Sequence, residues 1–365
     1  MNYIWIVIIF LLLLSGFGYS LWHIWNILPF PLFFKGIGVG VLALCFLVMF
    51  FNFFVGLDRL PMVLSEILYE VGFSSIFIML YVVILFAVLD LGKVCHIFPR
   101  SLLYNSAGGS IFIFIIIFGL FFYGNLHYNK KYRQPIALVT SKKLNKPLKI
   151  VMLSDLHLGY HNRKSEFRRW VNLINQETPD LILIGGDIVD GSIRALREQK
   201  MDKEFLRLRA PVYACLGNHE YYSGESEARQ FYKDAKIHLL VDSVVETDGI
   251  NIIGRDDRTN MHRASLAQLC ARVKDKTLYT ILLDHQPYHL EEAEESHIDF
   301  QLSGHTHYGQ VWPISWIENA IYEDAYGPFK KGRTQYFVTS GIGIWGGKFR
   351  IGTRSEYLVV TLSHQ

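Results

Sequence analysis

Five short segments of the 365-residue sequence contain Asp, Asn, Glu or His, the side chains that bind metal ions and transfer protons, and four of the five also contain glycine. Each follows a run of apolar residues that is typical of a buried strand. They are Ser154–Gly159, Gly185–Asp190, Gly217–Glu220, Asp284–Pro287 and Ser303–His307. Because the strands of an α/β sheet collect ligands beyond their carboxyl ends, we predict that these segments form one polar site. Glycine beside them lets the backbone turn sharply and approach a metal or phosphate closely.

The side chains of these segments offer oxygen and nitrogen ligands and no sulfur. Such a set favours a pair of hard or borderline divalent ions such as Mn, Fe, Mg or Zn. Two ions also need a carboxylate that can bridge them. Each segment alone is equally typical of a turn or a helix cap. The prediction therefore depends on their order and on their common position after strands.

The combination resembles the calcineurin-like metallophosphoesterase family, whose signature is Asp-x-His, Gly-Asp, Gly-Asn-His-(Asp/Glu), a lone His and Gly-His-x-His. All five blocks occur in order, and the resemblance covers residues 148–361. The sequence is most similar to the membrane-associated branch that includes YkuE/YaeI-type phosphoesterases, some of whose relatives remove UMP from UDP-diacylglucosamine. The other main pyrophosphatase branch for that lipid usually has Arg where His219 stands. The residues that support the branch are Ser154–Gly159, Gly254–Asp257, Asp284–Pro287, Gly304–Gln310, Ser340–Gly343 and Arg350.

The resemblance implies two divalent metal ions as cofactors, with manganese favoured and iron, zinc or magnesium as alternatives. One ion would be held by Asp155, His157, Asp187 and His307, and the other by Asp187, Asn218, His285 and His305. Asp187 would bridge them. Two such ions activate a water molecule and clamp both oxygens of an in-line displacement at phosphorus.

The resemblance also implies that His219 is catalytic and is not a metal ligand. It would stabilise the transition state or protonate the leaving oxygen, with Glu220 or Asp190 orienting its ring. Arg163 lies just past the segment Ser154–Gly159 and Arg258 just past the pair Asp256-Asp257, and we predict that both bind substrate phosphate. The alternative for both arginines is an exposed, solvated charge.

Nine short apolar runs predict strands that position these residues, with helix-length segments between several of them. The runs cover residues 136–140, 148–153, 181–184, 212–216, 250–253, 279–283, 298–302, 336–339 and 357–361. The clearest helical segments are Lys164–Gln176, Ile193–Arg207 and Ala264–Val273. Because apolar and polar residues do not alternate, both faces of the sheets should be buried. The pattern therefore predicts a layered α/β fold, and the resemblance implies that it is a β-sandwich metallophosphoesterase domain.

Charged residues are scarce in the N-terminal third. Residues 1–126 contain four basic and four acidic residues, whereas the whole chain contains 36 and 33 and is 51% hydrophobic. A helix needs about 20 apolar residues to cross a bilayer. Four charge-poor stretches meet this requirement, so we predict an N-terminal four-helix transmembrane region with spans at about 3–25, 37–57, 68–90 and 109–126.

These patterns divide the chain into a transmembrane region over residues 1–127, a basic linker with the first strand over 128–147, and the catalytic domain over 148–365. Four spans place both termini on one side of the membrane. A small excess of Lys and Arg on that side favours the cytoplasm. We therefore expect a multi-pass integral protein of the cell or inner membrane with a cytoplasmic catalytic domain.

The net charge of +3 is too small for a nucleic-acid partner, and the four widely spaced cysteines fit no zinc-ribbon or disulfide framework. We expect a membrane-anchored bimetallic phosphoesterase that hydrolyses a phosphodiester or pyrophosphate bond by metal-activated water. Its partners would be membrane lipids and a phosphorylated, membrane-proximal substrate, for example UDP-diacylglucosamine, and no obligate protein partner is inferred.

Two alternatives belong to other functional classes. The first is a non-catalytic membrane scaffold or receptor that uses the phosphoesterase fold for binding. The second is a transporter with a regulatory hydrolase domain, suggested by the carboxylates of Glu66, Glu70 and Asp90 in the apolar third. The sequence supports the transporter poorly, because it lacks the interrupted helices that such a protein uses.

Overall fold

Apolar helices and mixed sheets occupy separate parts of the chain. The computed structural model describes residues 3–365, apart from the side chains of residues 3–6, 9 and 53. It consists of two compact units, residues 1–126 with Gly346–Lys348, and residues 127–345 with 349–365. The first unit contains the helices α1 (Tyr3–Ile27), α2 (Leu32–Phe54), α3 (Met62–Val94) and most of α4 (Ala107–Asn129).

Three helices of the described chain are long and apolar enough to cross a membrane. They cover Leu32–Asn52, Met62–Val94 and Ala107–Asn129. Among the described residues three of the four predicted spans are thus found as candidate spans, and the fourth stays a prediction. The predicted first span, residues 3–25, is a helix, α1, but several of its side chains lie outside the described part. Helix α3 is also longer than the predicted span 68–90, because Pro61 caps its start and no helix breaker follows before Val94.

Two six-stranded sheets form the second unit. Their strand orders are β1-β12-β2-β3-β4-β5 and β10-β11-β9-β8-β7-β6. The strands are β1 (Lys131–Thr140), β2 (Leu148–Leu153), β3 (Leu181–Ile184), β4 (Val212–Ala214), β5 (His238–Leu239), β6 (Ser243–Thr247), β7 (Ile250–Gly254), β8 (Tyr279–Leu283), β9 (Phe300–Ser303), β10 (Gly327–Lys331), β11 (Thr334–Val338) and β12 (Ser355–His364). In the first sheet β2 to β5 are parallel, and in the second β7, β8, β9 and β11 are parallel. Both sheets are mixed, because β12, β6 and β10 pair antiparallel with a neighbour.

The main hydrophobic core contains residues from both sheets, among them Ile150, Leu183, Ile252 and Leu302, which are fully buried. The sheets therefore face each other as the layers of a sandwich. The helices of this unit are α5 (Lys164–Gln176), α6 (Ile193–Glu198), α7 (Met201–Phe205), α8 (Asn218–Tyr222), α9 (Glu225–Asp234), α10 (Leu266–Cys270), α11 (Leu290–Glu295) and α12 (Ile314–Ile321). Helices α10 and α11 pack on the outer face of the second sheet, in a core with Ile253 and Leu282.

The predicted layered α/β arrangement is found, with local differences. The segment Ile193–Arg207, predicted as one helix, is two short helices, because Lys200 adopts a left-handed conformation between them. Ten residues of the predicted linker and first strand form β1, which pairs parallel with β12. The short strands β5, β6 and β10 have no counterpart among the predicted apolar runs, because they are only partly buried or carry polar residues.

Candidate metal centre

The five polar segments lie at the carboxyl ends of five parallel strands. In the first sheet β2, β3 and β4 are neighbours, and they lead into Asp155, Asp187 and Asn218. In the second sheet β8 and β9 are neighbours, and they lead into His285 and into the segment that contains His305 and His307. The topology thus brings residues that are 150 positions apart to one edge of the sandwich.

One cluster consists of Asp155, His157 and His307, each of which is buried. The Nε2 atoms of His157 and His307 are 3.0 Å apart, and they lie 3.8 and 3.6 Å from Asp155 Oδ1. Three potential ligand atoms therefore surround one point from different sides, which is the arrangement that a cation requires.

A second cluster consists of Asp187, His285 and His305. His285 Nε2 lies 3.1 Å from Asp187 Oδ2, and His305 Nδ1 lies 2.8 Å from Asn218 Oδ1. The same Oδ2 atom of Asp187 is 3.7 Å from His157 Nε2, in the first cluster. Asp187 is thus placed between the two clusters, in the position that the sequence predicted for a bridging carboxylate.

Residues of the site adopt an unusual backbone conformation. Positive φ angles of 44° to 72° occur at Asp155, His157, Asp187, His305 and His307. The left-handed region is unfavourable for residues with a Cβ atom, and such residues concentrate at functional sites that the surrounding fold holds in place. Close packing also requires glycine here, since a Cβ atom on Gly304 would lie 2.2 Å from Asp155 Oδ2.

The electrostatics of the site fit divalent cations. Burial alone would raise the pKa of the Asp187 carboxyl, but the imidazoles of His285 and His219 lower it well below its usual range. Burial lowers the pKa of His305 to about 4 and that of His307 to about 3, so both rings are neutral at pH 7, as metal ligands must be.

Two other imidazoles respond to the buried carboxylates. Burial opposes protonation of His157, but Asp155, Asp190 and Asp187 raise the pKa of His157 to about 10. His285 Nδ1 lies 2.7 Å from the carbonyl oxygen of Gly185 and its buried Nε2 lies 3.1 Å from Asp187 Oδ2; burial opposes protonation, but Asp187 raises the pKa of His285 well above its usual value. Positive charge therefore stabilises the buried carboxylates, and either protons on the imidazoles or divalent ions can supply it. The clustered ligand atoms would hold such ions.

His219 lies beside the two clusters and is only partly buried. Its ring centroid is 4.5 Å from that of His157, and it is grouped with His157 and Asp187 as a further possible ligand. Its Nδ1 atom is 2.7 Å from Asp190 Oδ1, and Asp190 is buried. This contact holds the ring through Nδ1, and Nε2 is the nitrogen that it does not use.

Glu220 has a different position from that expected of an orienting group for His219. Its fully buried carboxylate accepts hydrogen bonds from the backbone N–H groups of Asp187, Ile188, Val189 and Gly217. Burial and the charge of Asp187 raise the pKa of Glu220 to about 7. Glu220 therefore holds the loop that carries Asp187 and contributes to the site through the backbone.

The two predicted substrate-binding arginines lie in different surroundings. Arg163 caps the start of α5, where its backbone N–H donates to Glu166 and its Nε donates to the carbonyl oxygen of Tyr160. Arg258 lies with its guanidinium carbon 4.1 Å from the ring centroid of Tyr288, and its buried Nη1 has no hydrogen-bond acceptor among the described residues. Both assignments stay predictions.

Further residues at the site are absent from the predicted set of site residues. The ring of Tyr322 lies 6.3 Å from that of His305, and its hydroxyl is 3.1 Å from the hydroxyl of Tyr288. Arg350, which the sequence comparison used only as a family marker, is fully buried and donates to the carbonyl oxygen of His307. No local motif marks these side chains, because only the fold brings them to the site.

Residues 148–309 match the family model described as calcineurin-like phosphoesterase. The chain contains a calcineurin-like metallophosphoesterase domain. The matched segment ends just after the Gly-His-x-His block, so it includes every predicted metal ligand. The family generally consists of hydrolases that use divalent metals.

Relatives with the same domain occur in bacteria and animals. An uncharacterized metallophosphoesterase of Helicobacter pylori is 35% identical over 246 residues, which is 66% of each chain. YkuE of Bacillus subtilis, also a metallophosphoesterase, is 29% identical over 59% of this chain and 78% of its own length. A transmembrane protein with a metallophosphoesterase domain from Danio rerio is 29% identical over 59% of this chain and 53% of its own length.

The matched region is slightly less than two thirds of the Helicobacter pylori protein and about half of the Danio rerio protein. These relatives are thus all named as metallophosphoesterases or as containing such a domain. One of them is also named as a transmembrane protein. Because the match covers only part of these relatives, their names do not establish the activity of this whole chain.

Proposed function

We propose that this protein is a membrane-anchored bimetallic phosphoesterase that hydrolyses a phosphodiester or pyrophosphate bond. The observation that carries the proposal is the position of Asp187, whose Oδ2 lies 3.1 Å from His285 Nε2 and 3.7 Å from His157 Nε2. A two-ion site requires a carboxylate that lies between two sets of ligands and can bind both ions. The first ion would be held by Asp155, His157, Asp187 and His307, and the second by Asp187, Asn218, His285 and His305.

Two divalent ions, with manganese favoured, would supply the positive charge that activates water and neutralises phosphoryl oxygens. The residues of the chain then have separate tasks. The His219 ring, held by Asp190 at 2.7 Å, would donate a proton to the leaving oxygen. Arg258 would bind a phosphate oxygen, since its guanidinium makes no ion pair with a carboxylate in the part of the chain that the structure describes.

A substrate at the membrane, a lipid or lipid-linked compound such as UDP-diacylglucosamine, forms the finer part of the proposal. Two observations support it. The apolar helices belong to the same chain as the catalytic domain, and α4 ends at Asn129, only two residues before β1 begins at Lys131. The domain is therefore tethered close to a candidate span, and soluble substrates would gain nothing from such a tether.

The anchor would consist of four spans if α1 crosses the membrane together with the three apolar helices, and the catalytic domain would then lie in the cytoplasm. The partners would be membrane lipids and the phosphorylated substrate, with no nucleic acid and no obligate protein partner. The topology is testable by attaching a reporter that is active only in the cytoplasm to the C-terminus.

The catalytic part of the proposal is tested with the full chain in lipid nanodiscs, Mn²⁺ and bis(p-nitrophenyl) phosphate. Asp187→Asn removes the charge at the bridging position and is expected to lower turnover by at least ~1,000-fold and to reduce bound metal. Asp234→Asn is the matched control, because Asp234 is exposed and, among the described residues, bonds only to Gln230 on its own helix. Equal rates for wild type and Asp187→Asn would contradict the proposal. Metal binding without turnover of any phosphate ester would favour the scaffold alternative.

The lipid part is tested separately, by adding wild type and Asp187→Asn to a membrane lipid extract and comparing the phosphorus-containing lipids by mass spectrometry. We expect a lipid that disappears only with the wild type. If soluble esters are hydrolysed while the lipid profile stays unchanged, the substrate is not a membrane lipid of that extract, and the catalytic proposal stands without it.

A further inference from the structure

Helix α12 exposes a continuous apolar surface on the metallophosphoesterase domain. Trp316 is 65% exposed, Ile317 58% and Ile321 56%, and Trp312, just before the helix, is 40% exposed. Ile317 and Ile321 lie one turn apart on α12 beside Trp316. Trp312 precedes the helix and packs its ring against that of Trp316, so the four exposed side chains adjoin one another. A soluble surface rarely carries two exposed tryptophans beside two exposed isoleucines, and such a patch marks an interaction site.

The segment is firmly held, so its exposure is not the fraying of a loose end. The backbone N–H of Trp312 donates to the carbonyl oxygen of Ile351 at 2.8 Å. The indole rings of Trp312 and Trp316 pack edge to face with centroids 5.2 Å apart. On the opposite side of the helix Ser315 is buried, and the close approach of Gly309 to Ile314 and Ser315 fixes the start of α12. The apolar face is therefore presented as a fixed surface.

The exposed face lies next to the candidate metal centre in the chain and in space. Trp312 follows His307, a predicted ligand, by five residues. At the other end of α12, Tyr322 directly follows the helix and its ring lies 6.3 Å from that of His305. Whatever covers α12 is consequently placed at the entrance to the site.

The lipid bilayer is the occupant that the chain itself makes available. Helix α4 is long and apolar enough to span a membrane, and the first strand of the domain begins two residues after it ends. The fully extended length of two residues is only about 7 Å. Tryptophan is enriched where proteins meet the headgroup region of a bilayer, and α12 contains no Lys or Arg that would have to be dehydrated.

We propose that α12, with Trp312, inserts its apolar face into the boundary between lipid headgroups and acyl chains of the membrane that anchors the chain. Its single acidic residue, Glu318, lies half-buried against the domain and so does not oppose insertion. The contact holds the candidate metal centre at the membrane surface. A phosphorylated lipid can then reach the metal centre without leaving the bilayer. This consequence rests on the proposed function, whereas the contact of α12 with the membrane does not depend on it.

The position of Trp316 is measured with the full chain in nanodiscs made from plain or dibrominated phosphatidylcholine. Bromine on the acyl chains quenches only tryptophan that reaches them. The chain contains seven tryptophans, so the emission of Trp316 is obtained as the difference between wild type and Trp316→Phe, a variant that keeps an apolar ring. We expect brominated lipid to reduce this difference emission at least twofold, and aqueous iodide to leave it nearly unchanged.

Trp170→Phe provides the matched control, because Trp170 is buried inside the domain and its emission should respond to neither quencher. Quenching of Trp316 by iodide and not by brominated lipid would overturn the proposal, since the face would then lie in water. Quenching by neither would also overturn it, since protein would cover the face. Both readings are independent of enzyme activity, so a failure of the proposed function leaves this test intact.

A second measurement addresses the consequence for substrate access. Replacing Trp316 and Ile317 by serine should lower turnover of a nanodisc-embedded phosphate ester at least tenfold and leave turnover of a soluble aryl ester unchanged. Both side chains are exposed, so the unfolding temperature should not fall. Equal loss on both esters would contradict a role of α12 in reaching the membrane.

Discussion

Arg350 provides the sharpest test of how the fold supports the candidate metal centre. The residue is fully buried, and its guanidinium connects separate segments of the site through their carbonyl oxygens. Nη1 donates to His307 at 2.7 Å, and Nη2 donates to Gly343 at 3.0 Å and to Ser340. Burial lowers the pKa of Arg350 to about 10, so the side chain is still a cation at neutral pH.

Arg350→Met keeps the length of the side chain and removes all of these donors. Hydrogen bonds to a charged group contribute about 1.5–3 kcal/mol each, so three of them sum to about 5–9 kcal/mol. Because Arg350→Met no longer buries a charged guanidinium, the free energy of that desolvation is recovered and offsets part of this sum. Measured losses for removing one partner from a buried charged network are about 3–5 kcal/mol, which we take as the net effect. Since 1 kcal/mol shifts the unfolding temperature of a domain of this size by about 2–4 °C, we expect a decrease of about 10 °C.

Differential scanning fluorimetry on the full chain in detergent measures this shift. Arg229→Met is the control, because Arg229 lies near the surface and, within the part of the chain that the structure describes, pairs only with Glu225, one turn away on α9. Its loss should change stability by less than about 1 kcal/mol. Arg350→Lys, which keeps the charge but has one donor atom, should fall between wild type and Arg350→Met. An unfolding temperature of Arg350→Met within about 2 °C of wild type would refute the reasoning.

Four further substitutions separate the tasks of neighbouring groups. Glu220→Gln places an amide opposite four backbone N–H donors, so bound metal per chain, measured by plasma mass spectrometry, should fall at least twofold. Asp190→Asn should lower kcat about 10–100-fold with little change in KM, because the ring of His219 loses its anchor; an unchanged kcat would exclude this role. Arg258→Gln should raise KM for a phosphate ester about tenfold or more, and an unchanged KM would indicate a solvated charge. Burial raises the pKa of Glu318 to about 7. Because the unfolded chain ionises Glu318 at a lower pH than the folded chain, the free energy of unfolding falls as the pH rises from about 4.5 to 7 and stays lower above pH 7. Glu318→Gln should therefore unfold at a higher temperature than wild type above pH 7 and at the same temperature near pH 4.

The parts of the structure that could be predicted are those with a local signal. Strand β3 is an uninterrupted apolar run and β2, β7 and β8 are mostly apolar, and glycine with an acidic, amide or imidazole side chain follows most of the strands that lead into the site. In this chain their common position after strands is the signal, since each segment alone is equally typical of a turn or a helix cap. The layered α/β fold and the residues brought together at one edge of the sandwich follow from this pattern.

The parts that could not be predicted depend on contacts between distant segments. Short strands such as β5 are defined by pairing with a neighbour and not by their own residues. The helix expected over Ile193–Arg207 breaks at Lys200, which adopts a left-handed conformation. The sequence gives no sign of this break, because lysine is a good helix former. The role of Glu220 was misjudged for a similar reason, because a carboxylate that binds backbone N–H groups 31 to 33 residues away has no sequence signature.

Strain at the candidate metal centre explains why so many supporting residues are buried polar groups. Left-handed conformations at residues such as Asp155 and His307 cost on the order of 1–3 kcal/mol each, and they persist only where neighbouring segments hold them. Glu220 binds the backbone of the loop that carries Asp187, another residue with a positive φ, and Arg350 binds the backbone of His307; one is a buried acceptor and the other a buried donor. An apolar core could not replace them, because it offers no hydrogen bonds to N–H or C=O groups that the strained loops turn away from regular pairing. The buried Glu and Arg are thus required by the same backbone geometry that brings the ligands together.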